Sequence, residues 1–520
     1  MSKKLVLSAK LIIVLLSVFC AAHEILWVKA TGAVYIRSDG SVYPSAPIQQ
    51  NGDIYTLTGN IISGADGLVI ERDNVTLDGA DYMIQGAGVG IGVNLTNRSH
   101  ITIKNVRIVK FETGIFLKNS YRNKLSGNDI TYNRDGVWLY GSSGNSIFWN
   151  NVANNNLAGV YLLNSLGNSL FGNDITNNYS GIGLTEFSNN NTLFSNKIEK
   201  NNWAGISLTK TSNNNTLLAN NITSNNWYGI NLEMSSGNNM FGNNIINNNH
   251  KGINFEEALN NSLSRNNIIN NDHGVSLYGA SYNNMFGNTI KNNNVGISLI
   301  ESSDNKIYHN NFIDNIYQVY DYSWDYYPDI LPSINIWNDS YPSGGNYWSD
   351  YTELDLNHDG TGDSPYIIPQ LMVPTESICY DYHPLMGIFT SFGISSGYHV
   401  DVVSNSTINN FDYFASNSTI EMYVSNMTAT QMYGFCRICI PTELMNTTTI
   451  SVIIDDGKTA VLYPNYTLYG NGSHIWIYFA YEHSTHKILI VPEFPSFIIL
   501  PLSITATLFV LVICWRKNFV

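Results

Sequence analysis

Two glutamates occupy the same place in neighbouring repeats of the chain and could act as a carboxylate pair. Glu233 ends the phrase Gly-Ile-Asn-Leu-Glu, and Glu256 ends the phrase Gly-Ile-Asn-Phe-Glu one repeat later. If the two phrases form strands of adjacent coils, their carboxylates lie about 5 Å apart, which overlaps the carboxylate separation of retaining glycosidases. We therefore predict Glu233 and Glu256 as candidate catalytic residues. The alternative is a solvated acidic face or an adventitious cation site.

A second column of side chains lies two positions before the repeated glycines. It contains Leu157, Tyr179, Trp203, Trp227, His250 and Asp272. Aromatic rings offer apolar faces on which sugar rings can stack. The pattern therefore predicts a ligand-binding surface beside the two glutamates, and its ligand-binding residues are Tyr179, Trp203, Trp227 and His250. The alternative is that the rings only cover neighbouring backbone at the corners of the fold.

Segment 355–363 alternates oxygen-bearing residues in the manner of a calcium-binding loop. Gly360 stands at the sixth place, where such loops turn sharply. The candidate ligands are Asp355, Asn357, Asp359, the carbonyl of Thr361 and Asp363. Position twelve is Tyr366 rather than Glu, so another segment supplies a ligand or binding is weak. We predict Ca²⁺ as the cofactor here, with a simple acidic turn as the alternative.

Lyase or epimerase chemistry on a β-helix would need a Ca²⁺-binding acid cluster with an Arg or Lys base, or an Asp-Pro-His-Asp-like phrase. Only the phrase Asp272-His273-Gly274 approaches such a pattern. It is short, and we interpret His273 as a corner residue.

The elements that position these side chains are predicted by an internal repeat. A phrase of Gly, then Ile or Val, then any residue, then Leu or Phe recurs at spacings of 22 to 24 residues, beginning at Gly114, Gly136, Gly159, Gly181, Gly205, Gly229, Gly252, Gly274 and Gly296. A second phrase begins with Asn and a third ends in Ile or Val, as in Asn168-Ser-Leu-Phe and Asn173-Asp-Ile. Three short strands per period of this length predict one coil of a parallel β-solenoid.

Within each repeat phrase the Ile and Leu positions should point inward and the other three outward, because side chains alternate along a strand. Gly and Asn tolerate the left-handed backbone that tight corners require. The Asn runs at 154–156, 201–202, 247–249 and 292–294 fall at one corner of successive coils, where their amides can form a ladder. A leucine-rich repeat would need a Leu-x-x-Leu-x-Leu phrase, which the chain lacks.

The predicted fold is all-β, a right-handed parallel β-helix with three strands per coil of about 22 residues. Alternating apolar runs after it predict a small antiparallel β-sandwich. We expect a signal peptide at 1–22, an N-terminal cap and first coils at 33–110, the repeats at 111–316, a C-terminal cap with the Ca²⁺-loop-like motif at 317–390, a sandwich stalk at 391–490, and a sorting motif, transmembrane helix and basic tail at 491–520.

The two ends of the chain predict its location. Lys3 and Lys4 precede an apolar stretch that ends in small residues, as in a secretory signal. Segment 496–515 is an apolar run of about one bilayer thickness, and Arg516 and Lys517 follow it. We expect a secreted protein anchored by its C-terminus on the extracellular face of the membrane. Sequons that fit a glycosylated exterior occur at Asn74, Asn94, Asn178, Asn221, Asn405, Asn426 and Asn465.

The formal charge of −14, from 26 Lys plus Arg against 40 Asp plus Glu, argues against a nucleic-acid partner, because such proteins must neutralise phosphates.

The repeats, followed by Asn346-Tyr-Trp-Ser-Asp-Tyr and the Asp-rich segment 355–363, resemble NosD-type β-helix proteins over residues 60–387. The resemblance implies a right-handed β-helix of the carbohydrate-binding and sugar-hydrolase type. The family name invokes periplasmic copper, but the matched positions hold no cluster of His, Cys and Met for a copper site. The tail Val491-Pro-Glu-Phe-Pro is similar to archaeal sorting tails of the PEF type, which implies either processing with lipid attachment or a plain transmembrane anchor.

These patterns favour a cell-surface protein that binds extracellular glycans or displays a structural or adhesive surface to them. The alternative is a polysaccharide-degrading enzyme, a glycoside hydrolase or lyase, that uses outward carboxylates of the β-helix.

Overall fold

In a computed structural model of the chain, the described residues are 28–30, 32–323, 332–368, 379–395, 397–445, 449–455, 460–463, 465–482 and 485–492. The chain divides into two compact units, one of residues 1–337 with 367–379 and one of residues 338–366 with 380–520. This division groups residues 338–366, which the sequence places in the cap, with the C-terminal sheets.

The first unit is a right-handed parallel β-solenoid of about 12 turns, as the repeat predicts. Each turn passes through three sheets, here called the first, second and third faces in chain order. The first face carries the repeat phrases in strands of up to six residues: Val34–Ile36, Val42–Tyr43, Leu68–Ile70, Ile91–Asn94, Thr113–Lys118, Asp135–Tyr140, Ala158–Leu163, Ser180–Thr185, Ala204–Thr209, Tyr228–Glu233, Lys251–Glu256, His273–Tyr278, Val295–Ile300 and Tyr317–Asp321.

The other two faces are built from shorter strands. The second face contains Ile48–Asn51, Ile54–Leu57, Thr76–Asp78, Thr102–Lys104, Lys124–Ser126, Ser146–Phe148, Ser169–Phe171, Thr192–Phe194, Thr216–Leu218, Asn239–Phe241, Ser262–Ser264, Asn284–Phe286 and Lys306–Tyr308. The third face contains Val28–Ala30, Ile61–Ser63, Met83–Gln85, Arg107–Val109, Asp129–Thr131, Asn151–Ala153, Asp174–Thr176, Lys197–Glu199, Asn221–Thr223, Asn244–Ile246, Asn267–Ile269, Thr289–Lys291 and Asn311–Ile313.

The core of the solenoid is a stack of Ile, Leu and Val side chains, one or two from each strand. In one coil these are Ile182, Leu184, Leu193 and Ile198, all at most 1% exposed. Strands of successive coils pair in parallel and in register, so that every residue type forms a column along the axis. The predicted columns of side chains are therefore confirmed.

Buried asparagines form ladders at all three corners rather than at one. Asn173 illustrates the pattern, because its amide Nδ2 donates to Ile147 O and to Asn196 Oδ1 of the next coil, at 2.9 Å each. The predicted ladder passes through Asn155, Asn178 and Asn201. Asn178 is fully buried in it, so its sequon lies inside the folded coil.

The repeated glycines were expected to point outward and to allow a left-handed backbone, and the structure shows neither feature. None of them has a positive φ, whereas several corner asparagines do, among them Asn177 at 55°. A Cβ built on Gly181 would lie 2.3 Å from Gly205 O and 2.8 Å from Ile198 Cγ2, an inward side chain of the third face. The expectation that this glycine points outward is therefore wrong. It is required because successive coils approach closely where the third face turns into the first.

The C-terminal unit holds two five-stranded antiparallel sheets. One consists of Ile388–Gly393, His399–Ser404, Tyr433–Pro441, His474–Glu482 and Thr467–Gly470, and the other of Ser406–Phe414, Thr419–Asn426, His486–Pro492, Ile450–Asp455 and Ala460–Tyr463. They share one core, to which Ile438 and Phe479 come from the first sheet and Met422 and Ile488 from the second. Three two-residue strands, Tyr347–Trp348, Tyr366–Ile367 and Tyr380–Asp381, precede them.

The predicted signal peptide and transmembrane helix lie outside the described residues. In the part of the chain that is described, no helix has the length and apolar character needed to cross a membrane.

Candidate functional site

The first face carries a long depression, which we call the trough. Its floor is the middle column of the repeat phrases, Gly183, Ser207, Asn231 and Asn254, which stand in register on four successive coils. These side chains point outward, yet Ser207, Asn231 and Asn254 are only 4%, 3% and 2% exposed. They are small or short, whereas Tyr228 and Glu233 in the columns on either side are partly exposed.

One wall of the trough is the aromatic column and the other is the column that ends in the glutamates. Backbone hydrogen bonds from Trp203 N to Tyr179 O and from Trp227 N to Trp203 O confirm the first column. The second contains Thr185, Thr209, Glu233 and Glu256. The structure thus brings both sets of sequence-predicted residues to the same depression, on opposite sides of its floor.

A cleft of about 590 Å³ forms one end of the trough. Gly183 leaves a gap next to Tyr161 in the floor column, and Ala158 and Ala204 are small in the column beside it. The lining residues are Glu112, Arg134, Asp135, Trp138, Leu157, Ala158, Tyr161, Tyr179, Ser180, Gly183, Leu184, Thr185, Trp203, Ser207, Thr209 and Lys210. The cleft therefore includes Tyr179 and Trp203 of the four predicted binding residues.

Three buried polar atoms in this cleft have no hydrogen-bond partner among the described residues. They are the indole Nε1 of Trp138 and the hydroxyls of Ser180 and Ser207. Buried polar groups are nearly always hydrogen-bonded, because leaving one unpaired costs about 1–3 kcal/mol. One donor and two hydroxyls without partners therefore belong to residues that line a single cleft.

The charged groups of the cleft are mostly paired. Arg134 Nη1 contacts Glu112 Oε1 at 2.6 Å and Lys210 Nζ contacts Glu186 Oε1 at 3.0 Å. Asp135 accepts a long hydrogen bond from the backbone of Ala158 at 3.3 Å, and burial raises the pKa of its carboxyl. Asp135, Trp138 and Tyr161 were not predicted from the sequence, although their positions in the repeat phrases mark them as neighbours of the predicted columns.

The other two predicted binding residues lie beyond the cleft, among titratable side chains. Trp227 and His250 contact each other edge to face, with ring centroids 4.6 Å apart. His250 Nδ1 lies 3.4 Å from Asp272 Oδ2, and His273 Nε2 lies 3.7 Å from the same oxygen. Burial lowers the pKa of His273. His273 is therefore part of a polar cluster beside the trough and more than a corner residue.

Glu233 and Glu256 are register partners on adjacent strands, as predicted. Neither side chain forms a hydrogen bond or an ion pair within the described residues, and Glu256 is exposed. Register pairing places the two residues on adjacent strands, about 4.8 Å apart, and no described side chain forms a hydrogen bond that would position either carboxyl.

A catalytic role for the pair remains a prediction that substitution can decide. If the chain cleaves a glycan, Glu233→Gln and Glu256→Gln should each abolish turnover, measured as release of reducing ends, because each removes one of two required carboxylates. Glu301→Gln, an exposed site outside the trough, is the matched control. Unchanged turnover in either trough variant would remove the pair from consideration.

The calcium-loop-like segment turns as its sequence predicts, with Gly360 at a φ of 83°. Asp355 accepts the backbone N–H groups of Asp359 and Gly360 at 3.0 and 2.9 Å, and Asp363 accepts that of Leu356 at 2.5 Å. The loop's own backbone thus occupies these carboxylates. Over the described residues, no group of three or more His, Cys, Asp or Glu is placed to hold a metal ion. The Ca²⁺ site stays a prediction.

Calorimetry can test that prediction directly. If the loop binds Ca²⁺, titration should give heat and raise the melting temperature of the C-terminal unit, because a ligand that binds only the folded state stabilises it. Asp359→Ala should abolish both effects, and Mg²⁺ serves as the control cation because it rarely accepts such flexible oxygen cages. No heat and no shift with Ca²⁺ would leave a simple acidic turn.

Residues 204–353 match the family described as periplasmic copper-binding protein (NosD), and residues 47–186 and 88–244 match the family described as right handed beta helix region. The chain thus carries a NosD-like right-handed parallel β-helix. No curated protein matches it. Among the described residues, no group of three or more His, Cys, Asp or Glu is placed to hold a metal ion such as the copper in the first description.

Similar solved structures include the A-module of the mannuronan C-5 epimerase AlgE6 of Azotobacter vinelandii, 13% identical with a TM-score of 0.40, covering 60% of this chain and 91% of that one. The Dettilon tailspike protein gp208 is 16% identical with a TM-score of 0.40, covering 89% and 86%. The periplasmic alginate epimerase AlgG is 16% identical with a TM-score of 0.31, covering 56% and 84%. At these identities the likeness concerns the fold alone.

Proposed function

We propose that the protein binds a glycan chain in the trough of the first face. The observation that carries this proposal is the cleft in which Trp138 Nε1, Ser180 Oγ and Ser207 Oγ are buried without partners among the described residues, and which Tyr179 and Trp203 also line. Sugars present apolar C–H faces to aromatic rings and hydroxyls to donors and acceptors, so one ligand class satisfies both features.

The repeat of the fold supports a polymer over a single sugar. Successive coils rise by about 4.8 Å, which is close to the length of one pyranose unit in an extended chain. A glycan that follows the axis therefore meets an equivalent floor position at each coil, from Gly183 through Ser207 and Asn231 to Asn254. The wall provides Tyr179, Trp203 and Trp227 at the same spacing.

Binding to a glycan array tests the proposal. Trp203→Ala combined with Trp227→Ala should weaken retention of the bound glycan about tenfold or more, because stacked aromatic pairs contribute about 0.5–1.5 kcal/mol each beyond their buried area. Trp138→Phe with Ser207→Ala removes two of the unpartnered groups and should also weaken retention of the glycan.

Trp149→Ala is the matched control, because Trp149 is 67% exposed on another side of the solenoid. Equal retention by the wild type and both trough variants would show that the trough is only structural.

We also propose that the trough is presented outside the cell, on a C-terminal anchor. The basic and apolar N-terminus and the apolar run at 496–515 support this proposal. Protease added to intact cells should then degrade the solenoid, and a chain ending at residue 490 should appear in the medium. Protection from protease in intact cells would contradict it.

A further inference from the structure

Lys251 is a partly buried cation in the trough that has no carboxylate partner among the described residues. It stands in register between Tyr228 and His273, beside the trough floor. It forms no ion pair with any described side chain, and burial lowers the pKa of its amine. Removing a cation from water without a counter-ion is unfavourable, so this position is costly unless another group offsets it.

The protein holds the amine over the floor with a neutral partner. Lys251 Nζ donates to Asn254 Oδ1 at 2.8 Å, and Asn254 Nδ2 donates in turn to Asn231 Oδ1 at 2.8 Å. The second bond fixes the orientation of the Asn254 amide, so that its oxygen faces the lysine. An ammonium group has three N–H donors, and this contact occupies one.

Several other lysines of the solenoid are neutralised by carboxylates. Lys104 pairs with Asp78 at 2.8 Å and Lys197 with Asp174 at 3.2 Å. Lys251, which stands beside the floor of the trough, differs from them in having a neutral amide as its partner.

The acids near Lys251 are directed elsewhere. Asp272 accepts a hydrogen bond from Asn294 Nδ2 at 2.8 Å and lies against His250 and His273. The carboxylate of Glu256, at the other end of the same strand, stabilises the charged form of the Lys251 amine. Its side chain is exposed, and it forms no ion pair with Lys251. No described carboxylate on the floor or either wall thus pairs with the amine at ion-pair distance.

We infer that Lys251 forms an anion subsite in the trough, where it binds an acidic group carried by the glycan, either the carboxylate of a uronic acid or a sulfate ester. The inference rests on the proposed function and adds the ligand class. The cleft around Trp203 would hold neutral sugar faces, and the coil of Lys251, two coils further along, would select for the acidic substituent.

Pairs of glycans that differ only in their acidic groups distinguish recognition of the charge from recognition of the sugar backbone. Calorimetry would compare oligogalacturonate with its fully methyl-esterified form, and sulfated dextran with dextran, on the full chain. Lys251→Met should weaken binding of the acidic member about tenfold to a hundredfold, since a hydrogen bond to a charged group contributes about 1.5–3 kcal/mol. Binding of the neutral member should not change. Lys251→Arg should retain part of the preference, and Lys197→Met on the third face is the control.

The outcomes distinguish the inference from the proposed function. A loss confined to the uronate pair or to the sulfate pair identifies the source of the anion. Neutral and acidic members bound equally well, in a manner that depends on Trp203, would overturn the subsite and leave glycan binding intact. Equal loss of both members in Lys251→Met would show a structural role and also overturn it. Absence of binding to all four glycans would overturn both.

Discussion

Replacing Asn196 with leucine should lower the free energy of unfolding of the solenoid by roughly 3–6 kcal/mol. Asn196 is 1% exposed, and its Oδ1 accepts from the backbone and the amide of Asn173 at 3.1 and 2.9 Å. Its Nδ2 donates to Leu170 O at 2.9 Å and to Asn220 Oδ1 at 3.0 Å. Leucine has a similar volume, but it would remove four hydrogen bonds to the two neighbouring coils and leave Asn173 N buried without its acceptor.

The measurement is the midpoint of thermal and urea unfolding, followed by circular dichroism. Asn221→Leu is the matched control, because Asn221 is exposed on a strand of the third face, where substitutions usually change stability by less than about 0.5 kcal/mol. Equal midpoints for the two variants would show that the ladder amides contribute little beyond their shape.

Asp381→Ala should destabilise the C-terminal unit by roughly 3–5 kcal/mol, because it removes the acceptor for several buried donors. The carboxylate is fully buried and accepts from Asn346 N at 2.7 Å, Trp348 Nε1 at 2.9 Å and His383 N at 3.1 Å. A Cβ on Gly345 would overlap this carboxylate. The Asn-Tyr-Trp phrase that resembles the NosD family thus wraps around an aspartate 35 residues further along.

The same site predicts a pH dependence. Burial raises the pKa of Asp381 to about 6 from 3.8, so the folded state binds this proton more tightly than the unfolded state does. The stability that this proton contributes is complete below pH 3.8 and is lost as the pH rises through 6, a difference of roughly 3 kcal/mol. The decrease in melting temperature that Asp381→Ala causes, relative to the wild type, should therefore be larger at pH 5 than at pH 7.5.

Asp381→Asn serves as the isosteric comparison, because it keeps one acceptor oxygen and cannot titrate. Its melting temperature relative to that of the wild type should rise between pH 5 and pH 7.5. A difference between wild type and Asp381→Ala that grows with pH would contradict the assignment.

Much of the trough could be predicted because the fold repeats. Once the period of 22 to 24 residues is recognised, parallel pairing places residues one period apart in contact. The register of Glu233 with Glu256 and the order of Tyr179, Trp203 and Trp227 follow from the spacing alone. The inward Ile and Leu positions are correct for the same reason.

The cleft and the cation could not be predicted in this way. Whether Ser207 is buried depends on the size and orientation of the side chains in the neighbouring columns. The spacing of a repeat does not determine either property. The absence of an ion pair at Lys251 among the described residues depends on where Asp272 and Glu256 point in three dimensions. The close approach of Gly181 to the next coil likewise follows from the angle between two faces.

The amino-acid sequence by itself determined the coil, its period, the inward core and the columns, because these follow from local alternation and a fixed repeat length. Only the tertiary structure decided which outward side chains are buried, which polar atoms lack partners and which residues meet across long separations, as Asn346 and Asp381 do. The physical reason is that burial and pairing depend on neighbours brought together by packing, and the spacing of residues along one chain does not specify them.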